Sequence, residues 1–525
     1  MKPFFVLFAL AAGLTVAAQP PASPAKVYGK LFHDVQMAPV FPDQKTFPDA
    51  VPKKAPAEIV AEYQKATSNP AIRFALDLFI SENFELPKDP QINYIRQETD
   101  IIAHIKNCWG VLRREPEKSV EGSSLLPLPY PYIVPGGRYR ELNYQTAYFA
   151  MLGLKESGQA DMIENMVKNF AAMVDSFGYI PAGNRSYLLG RSQPPYFAMM
   201  VALLASVKGD NVYLSFLPQL VKEYDYWMEG AATCKPGQAV KRLVKLKNGA
   251  LLNRYWDDNN TPRPEQYRND IETAQKISNK PLFYQQLRAA AASGRDASAR
   301  WRSDAKNAAT TQTLSIVPVD LNCLLYNLER VIARAQTLQG HDSIAAVWRK
   351  KAEQRAYAID KYCWNKALNF YTDYNFRLQA QLNLVTPAGL YPFCVYETKL
   401  DYMSLLARRV ATVVKAKLLK DGGIQSSDRN TGLDDDAPYG MASLQWMAVY
   451  GMDRCGQKDL AREIAQRWIK LNVDVFKRNG KLLYKYDVAD TSAVTNKGEG
   501  TGNYGFGTTN GVLLKLAAIY GLPAK

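Results

Sequence analysis

Most of this chain carries apolar residues at helical spacing, and almost none of it carries the two-residue alternation of a half-buried strand. The helical stretches run over Ala147–Lys155, Met162–Ser176, Tyr196–Val207, Leu214–Met228, Leu321–Thr337, Ser343–Tyr362, Tyr402–Leu419, Met441–Gly451, Leu460–Val475 and Thr509–Tyr520. Turn-rich segments with proline separate many of them, among them Pro131–Gly137, Gly178–Pro181, Thr261–Pro264 and Pro387–Pro392. Strand-like alternation is confined to patches such as Lys481–Tyr486. The spacing therefore predicts an all-α fold with helices in antiparallel succession and long loops between them. Such helices pack as a superhelix of repeats or as a closed ring of hairpins. No fixed sequence period is present, which disfavours the superhelix. In a ring, the loops at one end converge on a central cleft.

The first eighteen residues have the pattern of a cleaved signal peptide: Lys2, an apolar run from Phe4 to Val16, then small residues before Gln19. The run is too short to span a bilayer. Residues 19–29, proline-rich from Gln19 to Lys26, are expected to be a tether, and residues 30–525 one large unit. No later apolar stretch is long enough for a membrane helix, so the mature chain is expected to be exported, periplasmic or secreted, and monomeric. Its formal charge of +15, from 65 Lys and Arg against 50 Asp and Glu, is spread along the chain without a basic stripe. That spread argues against nucleic acid as a partner and fits a basic surface among anionic envelope polymers. The cysteines are scattered without CxxC spacing, and the three histidines, His33, His104 and His341, stand apart. A zinc site is not expected, and buried free thiols are.

Chemistry is most legible in Ala292–Trp301, where Asp296 sits behind Gly294 among small residues. Glycine ends the preceding helix, and the flanking cations Arg295 and Arg300 are expected to keep the carboxylate ionised. Three other loops join arginines with aromatic rings: Pro135–Glu141, Gly183–Pro195 and Arg254–Glu265. Arginine forks donate to hydroxyls and flat rings cover the apolar face of a sugar, so the combination suits a polyhydroxylated ligand. The tail run Gly500–Gly505 matches GxGxxG by letter, but no buried strand precedes it, and dinucleotide binding is rejected.

These segments, in this order, resemble the trehalase family of glycoside hydrolases from Lys30 nearly to the C-terminus. The resemblance is carried by Phe41–Phe47, Pro135–Glu141, Gly183–Pro195, Thr261–Glu265, Ser293–Asp296, Pro318–Asn322 and Gly505–Val512. It implies an (α/α)6 toroid and inverting hydrolysis of α,α-trehalose, or a related α-glucoside, to glucose. In that reaction an acid protonates the glycosidic oxygen while a base activates water on the opposite face, so no cofactor or metal is implied. By the same resemblance Asp296 is the general acid, and Arg138, Arg191 and Arg263 line the sugar pocket.

The chain also departs from the family pattern. Tyr484 stands where the family's base glutamate precedes Lys-Tyr-Asp, and a phenol with a pKa of about 10 is a poor base for water at neutral pH. Gln145-Thr146 replaces a Trp-Asp pair, Ala182 an asparagine, Arg295 a tryptophan, and Asp435-Asp436 and Gly440-Met441 a Trp-Asp and a Gly-Trp. In the tail, Gly507-Thr508-Thr509-Asn510 stands for Gly-Trp-Thr-Asn. Three readings follow. Another carboxylate, Glu499 first and then Asp487 or Asp490, positions the water; or the pocket takes a different sugar; or the chain is an inactive, carbohydrate-binding pseudoenzyme.

Overall fold

The computed structural model describes residues 21–68, 74–87, 98–397, 400–493 and 506–523. The signal sequence, Glu499 and the Gly500–Gly505 run therefore lie outside the described residues.

Three helices, α1 (Pro24–Met37), α2 (Pro56–Thr67) and α3 (Leu76–Asn83), precede the main body. The expected tether over residues 19–29 gives way at Pro24, which opens α1. Proline suits the first helical turn because its missing N–H would find no intrahelical acceptor there. Tyr28, Leu31, Phe32 and Val35 recur at helical spacing and are buried with Phe47 and Phe84 in a small cluster of their own. The proline-rich start of the segment masks that periodicity.

The main body alternates outer and inner helices. It begins with α4 (Ile101–Leu112), α5 (Tyr144–Glu156), α6 (Ala160–Phe177) and α7 (Phe197–Lys208). The stretch expected as one helix over Leu214–Met228 is broken into α8 (Asn211–Ser215) and α9 (Leu217–Trp227), because Pro218 cannot donate into a continuous helix. Next, α10 (Tyr267–Thr273) and α11 (Lys280–Ala292) lie on the long connection to α12 (Val319–Leu338) and α13 (Asp342–Cys363). The body ends with α14 (Tyr391–Val395), α15 (Leu400–Val413), α16 (Ala442–Arg454), α17 (Lys458–Asn479) and α18 (Gly507–Tyr520).

The inner helices α5, α7, α12, α14, α16 and α18 each pack on the next, and α18 returns to α5. The result is the (α/α)6 toroid. Burial follows position in the ring. Helix α5 is buried at every residue from Ala147 to Leu154, whereas outer α6 buries a stripe of Met162, Ile163, Met166, Val167 and Phe170. The closing contact of α5 with α18 is made by two glycines. A Cβ on Gly153 would lie 2.5 Å from the Gly511 Cα, and one on Gly511 would lie 2.1 Å from the Phe149 carbonyl oxygen. Any side chain there would hold the ring open. All six cysteines are buried free thiols.

The strand Tyr439–Met441 pairs antiparallel with Lys485–Asp487, setting Met441 opposite Lys485. This ladder carries Tyr484, from the far end of the chain, to the mouth of the ring. No helix among the described residues is long and apolar enough to cross a membrane.

Candidate active site

Loops at one end of the ring enclose a cavity with about 1200 Å3 of space outside protein atoms, open mouth included, which is ample for a disaccharide. Arg138, Arg191, Arg263 and Asp296 all line it, so four of the expected site residues are brought together. Asp487 and Asp490 do not line it. The carboxylate of Asp487 accepts from the backbone N–H groups of Ala489 (2.9 Å) and Asp490 (2.8 Å), and that of Asp490 accepts from Ser492, so both hold a turn.

The acid loop is built from its glycine. Helix α11 ends at Ala292, and Gly294 then turns the chain at φ +73°, a left-handed conformation that glycine adopts freely. The turn presents Asp296, whose side chain is 40% exposed to the cavity. The cation that holds it differs from expectation. Neither sequence neighbour pairs with Asp296; Arg263 does, donating through Nη1 to Oδ2 while its other nitrogens bind Asp270 at 2.6 to 3.3 Å. Burial pushes the Asp296 carboxyl up, but Arg263 and, further off, Arg191 outweigh it and hold it below the usual carboxylate range. Arg300 turns inward instead, because the 3-10 turn Ala299–Trp301 directs it onto Asp320 (2.7 and 2.9 Å) and Asp373 (2.6 and 2.8 Å).

A second loop clamps the first. The Asp435 N–H donates to the Ala297 carbonyl at 2.9 Å, and Asp435 Oδ2 accepts from the Ala297 N–H at 3.0 Å. Asp436 accepts from Ser298 Oγ (2.7 Å), the Ala299 N–H (2.8 Å) and Thr431 Oγ1 (2.6 Å). Burial pushes Asp435 up to about 7; Lys485 opposes the shift and the nearby Asp296 adds to it. The two neighbouring carboxyls thus have opposite proton affinities. Sequence reasoning singled out Asp435 only as a departure from a pattern and missed this contact.

The other walls are fixed by buried ion pairs. Arg191 donates to Asp257 (3.2 Å) and Glu265 (2.5 Å), and Arg288 also reaches Asp257 at 3.2 Å. Lys45, from the Phe41–Phe47 segment, joins Asp49 (2.5 Å) to Glu141 (2.8 Å). The double glycine Gly136-Gly137, with φ of +108° and +61°, turns the chain so that Arg138 lies over the Tyr139 ring, 5.3 Å from its centroid. Gln193 Oε1 accepts from the Gln145 N–H at 2.9 Å, linking the first turn of α5 to the loop before α7. Tyr484 lines the cavity between the rings of Tyr139 and Phe506, at centroid distances of 6.5 and 5.4 Å. Of the carboxylates that line the cavity, Glu141, Glu265 and Asp296, each is ion-paired. Among the described residues no group of His, Cys, Asp and Glu is arranged to hold a metal ion.

Known proteins agree with this geometry. The trehalase family model matches residues 39–521. Periplasmic trehalases of Escherichia coli, from strain E24377A and strain K12 alike, are 44% identical over 516 residues, covering 97% of this chain and 90% of theirs. The neutral trehalase of Saccharomyces cerevisiae superposes with a TM-score of 0.63 at 20% identity, covering 95% of this chain and 93% of its own, a likeness of fold. By the family match over residues 39–521 and the 44% identity over nearly its whole length, the chain belongs to the trehalase family.

Proposed function

We propose that this chain is an exported, periplasmic or secreted glycoside hydrolase that cleaves α,α-trehalose to glucose with inversion, with Asp296 as its general acid. The observation that carries the reading is Asp296 itself: a carboxylate presented to a disaccharide-sized cavity on a loop clamped from one side by Asp435 and Asp436 and from the other by Arg263. The 44% identity to periplasmic trehalases over nearly the whole chain supports the choice of sugar.

In the ligand-free cavity Arg263 keeps Asp296 ionised, which is the wrong state for an acid. A sugar that fills the cavity removes water from the carboxyl, and sugar oxygens that draw Arg263 away weaken its hold. Both changes raise the proton affinity of Asp296 toward what proton donation requires. Arg138, Arg191 and Arg263 bound the sugar as donors; every nitrogen of Arg263 already meets a carboxylate, so it reaches the sugar by turning Nη1 away from Asp296. For the base we propose Glu499, on its place among the tail glycines alone. An inverting pair stands about 6.5–9.5 Å apart, leaving room for the attacking water.

One observation favours a second reading, in which the chain binds sugar without cleaving it. Tyr484 puts a neutral phenol at the cavity wall where the family pattern has its base. Glucose release from trehalose by the mature protein, beside Asp296→Asn and Glu499→Gln, decides between the two. Turnover in the wild type that falls about 100-fold or more in Asp296→Asn supports the hydrolase. Saturable trehalose binding by calorimetry with no glucose released establishes the binding protein. Unchanged turnover in Asp296→Asn removes Asp296 from the acid's role.

A further inference from the structure

The cations that line the cavity are not equivalent. Lys45, Arg191 and Arg263 each meet a buried carboxylate, at 2.5 Å to Asp49, 2.5 Å to Glu265 and 2.6 Å to Asp270. Arg295 lines the same cavity beside Asp296, yet its guanidinium has no hydrogen bond or ion pair among the described residues. Its backbone, in contrast, is fixed. The Arg295 N–H donates to Ser293 Oγ at 3.1 Å, and its carbonyl accepts from Trp301 Nε1 at 2.7 Å. The head group is therefore held at the cavity by a rigid stem and left open at its tip.

The carboxylates near it are already engaged. Asp320 binds Arg300 through both oxygens, at 2.7 and 2.9 Å. Asp296 is taken by Arg263, and Asp435 Oδ2 accepts from the Ala297 N–H. The charge of Arg295 acts at longer range on Asp320 and Asp435 and on the hydroxyls of Tyr391 and Tyr196, which bond each other at 2.5 Å, but none of these groups bonds its guanidinium. A ligand that fills the cavity removes water from the guanidinium, and a guanidinium stripped of water without a directly bonded counter-ion is disfavoured. A neutral sugar offers only hydroxyl oxygens in exchange. A carboxylate or phosphate offers two oxygens at the spacing of the guanidinium fork, in charge-assisted bonds about twice as strong.

We infer that the cavity takes an α-linked disaccharide carrying an anionic group, a carboxylate or a phosphate, with Arg295 as its counter-ion. This rests on the reading of the cavity as the sugar site and shifts its preferred sugar from neutral trehalose to an anionic relative of it. Tyr484 fits the same selection, since an uncharged wall does not repel an anion as a carboxylate would.

The test is calorimetry on the mature protein at neutral pH and low salt, with trehalose, trehalose 6-phosphate and an α-glucosyl glucuronic acid, each also assayed for glucose release. The wild type is expected to bind at least one anionic sugar about tenfold or more tightly than trehalose, the ratio that a charge-assisted bond supplies over a neutral one. In Arg295→Gln that ratio falls toward one, and in Arg295→Lys part of it returns. The arm that binds more tightly names the anion, phosphate or carboxylate. A ratio near one in the wild type, or a preference that persists in Arg295→Gln, overturns the inference. Its failure is separable from that of the proposed hydrolysis: equal affinities with glucose released leave only the hydrolase standing, and a tenfold preference with no release from any sugar leaves only the anion site.

Discussion

Replacing Gly294 with alanine tests whether one backbone turn places the acid. At φ +73° an L-residue is strained by about 1–2 kcal/mol. The added Cβ would sit 1.9 Å from Gln145 Oε1 and 3.1 Å from its Cδ, with Gln193 Nε2 at 3.6 Å, so the Gln145 side chain must leave its position. Its backbone cannot follow freely, because the Gln145 N–H is tied to Gln193 Oε1. An off-rotamer glutamine adds about 0.5–1.5 kcal/mol. The total of about 2–3 kcal/mol lowers the melting temperature of a chain this long by only about 2–3 °C, since unfolding entropy grows with length. Activity is the more sensitive readout. If the loop yields instead of the glutamine, Asp296 moves by a large fraction of an ångström, and a misplacement of that order lowers turnover by about 10- to 100-fold. Steady-state glucose release read beside a circular dichroism melt measures both effects. Gly249→Ala is the control: its φ is +87° and no atom lies within 4 Å of the added carbon, so it carries the backbone strain without the collision. A Gly294→Ala protein that melts and turns over like the Gly249→Ala control would refute the placement of Asp296 by this turn.

Other perturbations follow from the same geometry. Burial raises Asp435 to about 7, above its unfolded value, so the fold favours its protonated form and loses that contribution as pH rises from about 4 through 7; Asp435→Asn, which keeps the acceptor for the Ala297 N–H, should flatten melting temperature over that range and abolish any activity step near pH 7. Glu223, buried against Tyr144 and pushed up to about 8 by burial, behaves alike, so Glu223→Gln should melt with the wild type near pH 4 and above it at pH 8, and equal melting at pH 8 would contradict the shift. Tyr484→Glu should raise glucose release by no more than about twofold if Glu499 is the base, whereas a rise of tenfold or more would show that the wild type lacks one.

The ring was legible because inner and outer helices are long and their apolar residues recur strongly. Helix α11 was not, since its last four residues are alanines and the apolar signal vanishes at the point where it delivers the acid loop. The N-terminal helices were hidden by prolines that read as punctuation but serve as first-turn residues. At the site, residue types were legible and partnerships were not. Asp296 lies next to Arg295 in sequence, yet its cation is Arg263, 33 residues away, because the left-handed turn at Gly294 and the inward 3-10 turn at Arg300 carry the near arginines elsewhere. The clamp from Asp435 spans 138 residues and has no local signature at all.

The difference between the cavity's arginines decides how their removal must be read. Arg191 is buried between Asp257 and Glu265, so its loss leaves carboxylates out of water without their cation. Breaking a buried pair from one side destabilises by about 3–5 kcal/mol, even where the intact pair adds little. Arg288 still reaches Asp257 but donates nothing to Glu265, so the defect should concentrate there. Arg191→Ala is therefore expected to lose sugar affinity and to melt about 3–5 °C lower together, the loosened Glu265 wall accounting for both. Arg295 holds no carboxylate, so Arg295→Ala should leave melting within about 1 °C of the wild type while changing what the cavity binds. Differential scanning calorimetry of the two variants beside the wild type separates the roles. Equal melting losses at both positions would mean that Arg295 is as much a part of the ion-paired wall as Arg191, and the distinction between a structural and an open guanidinium would fall.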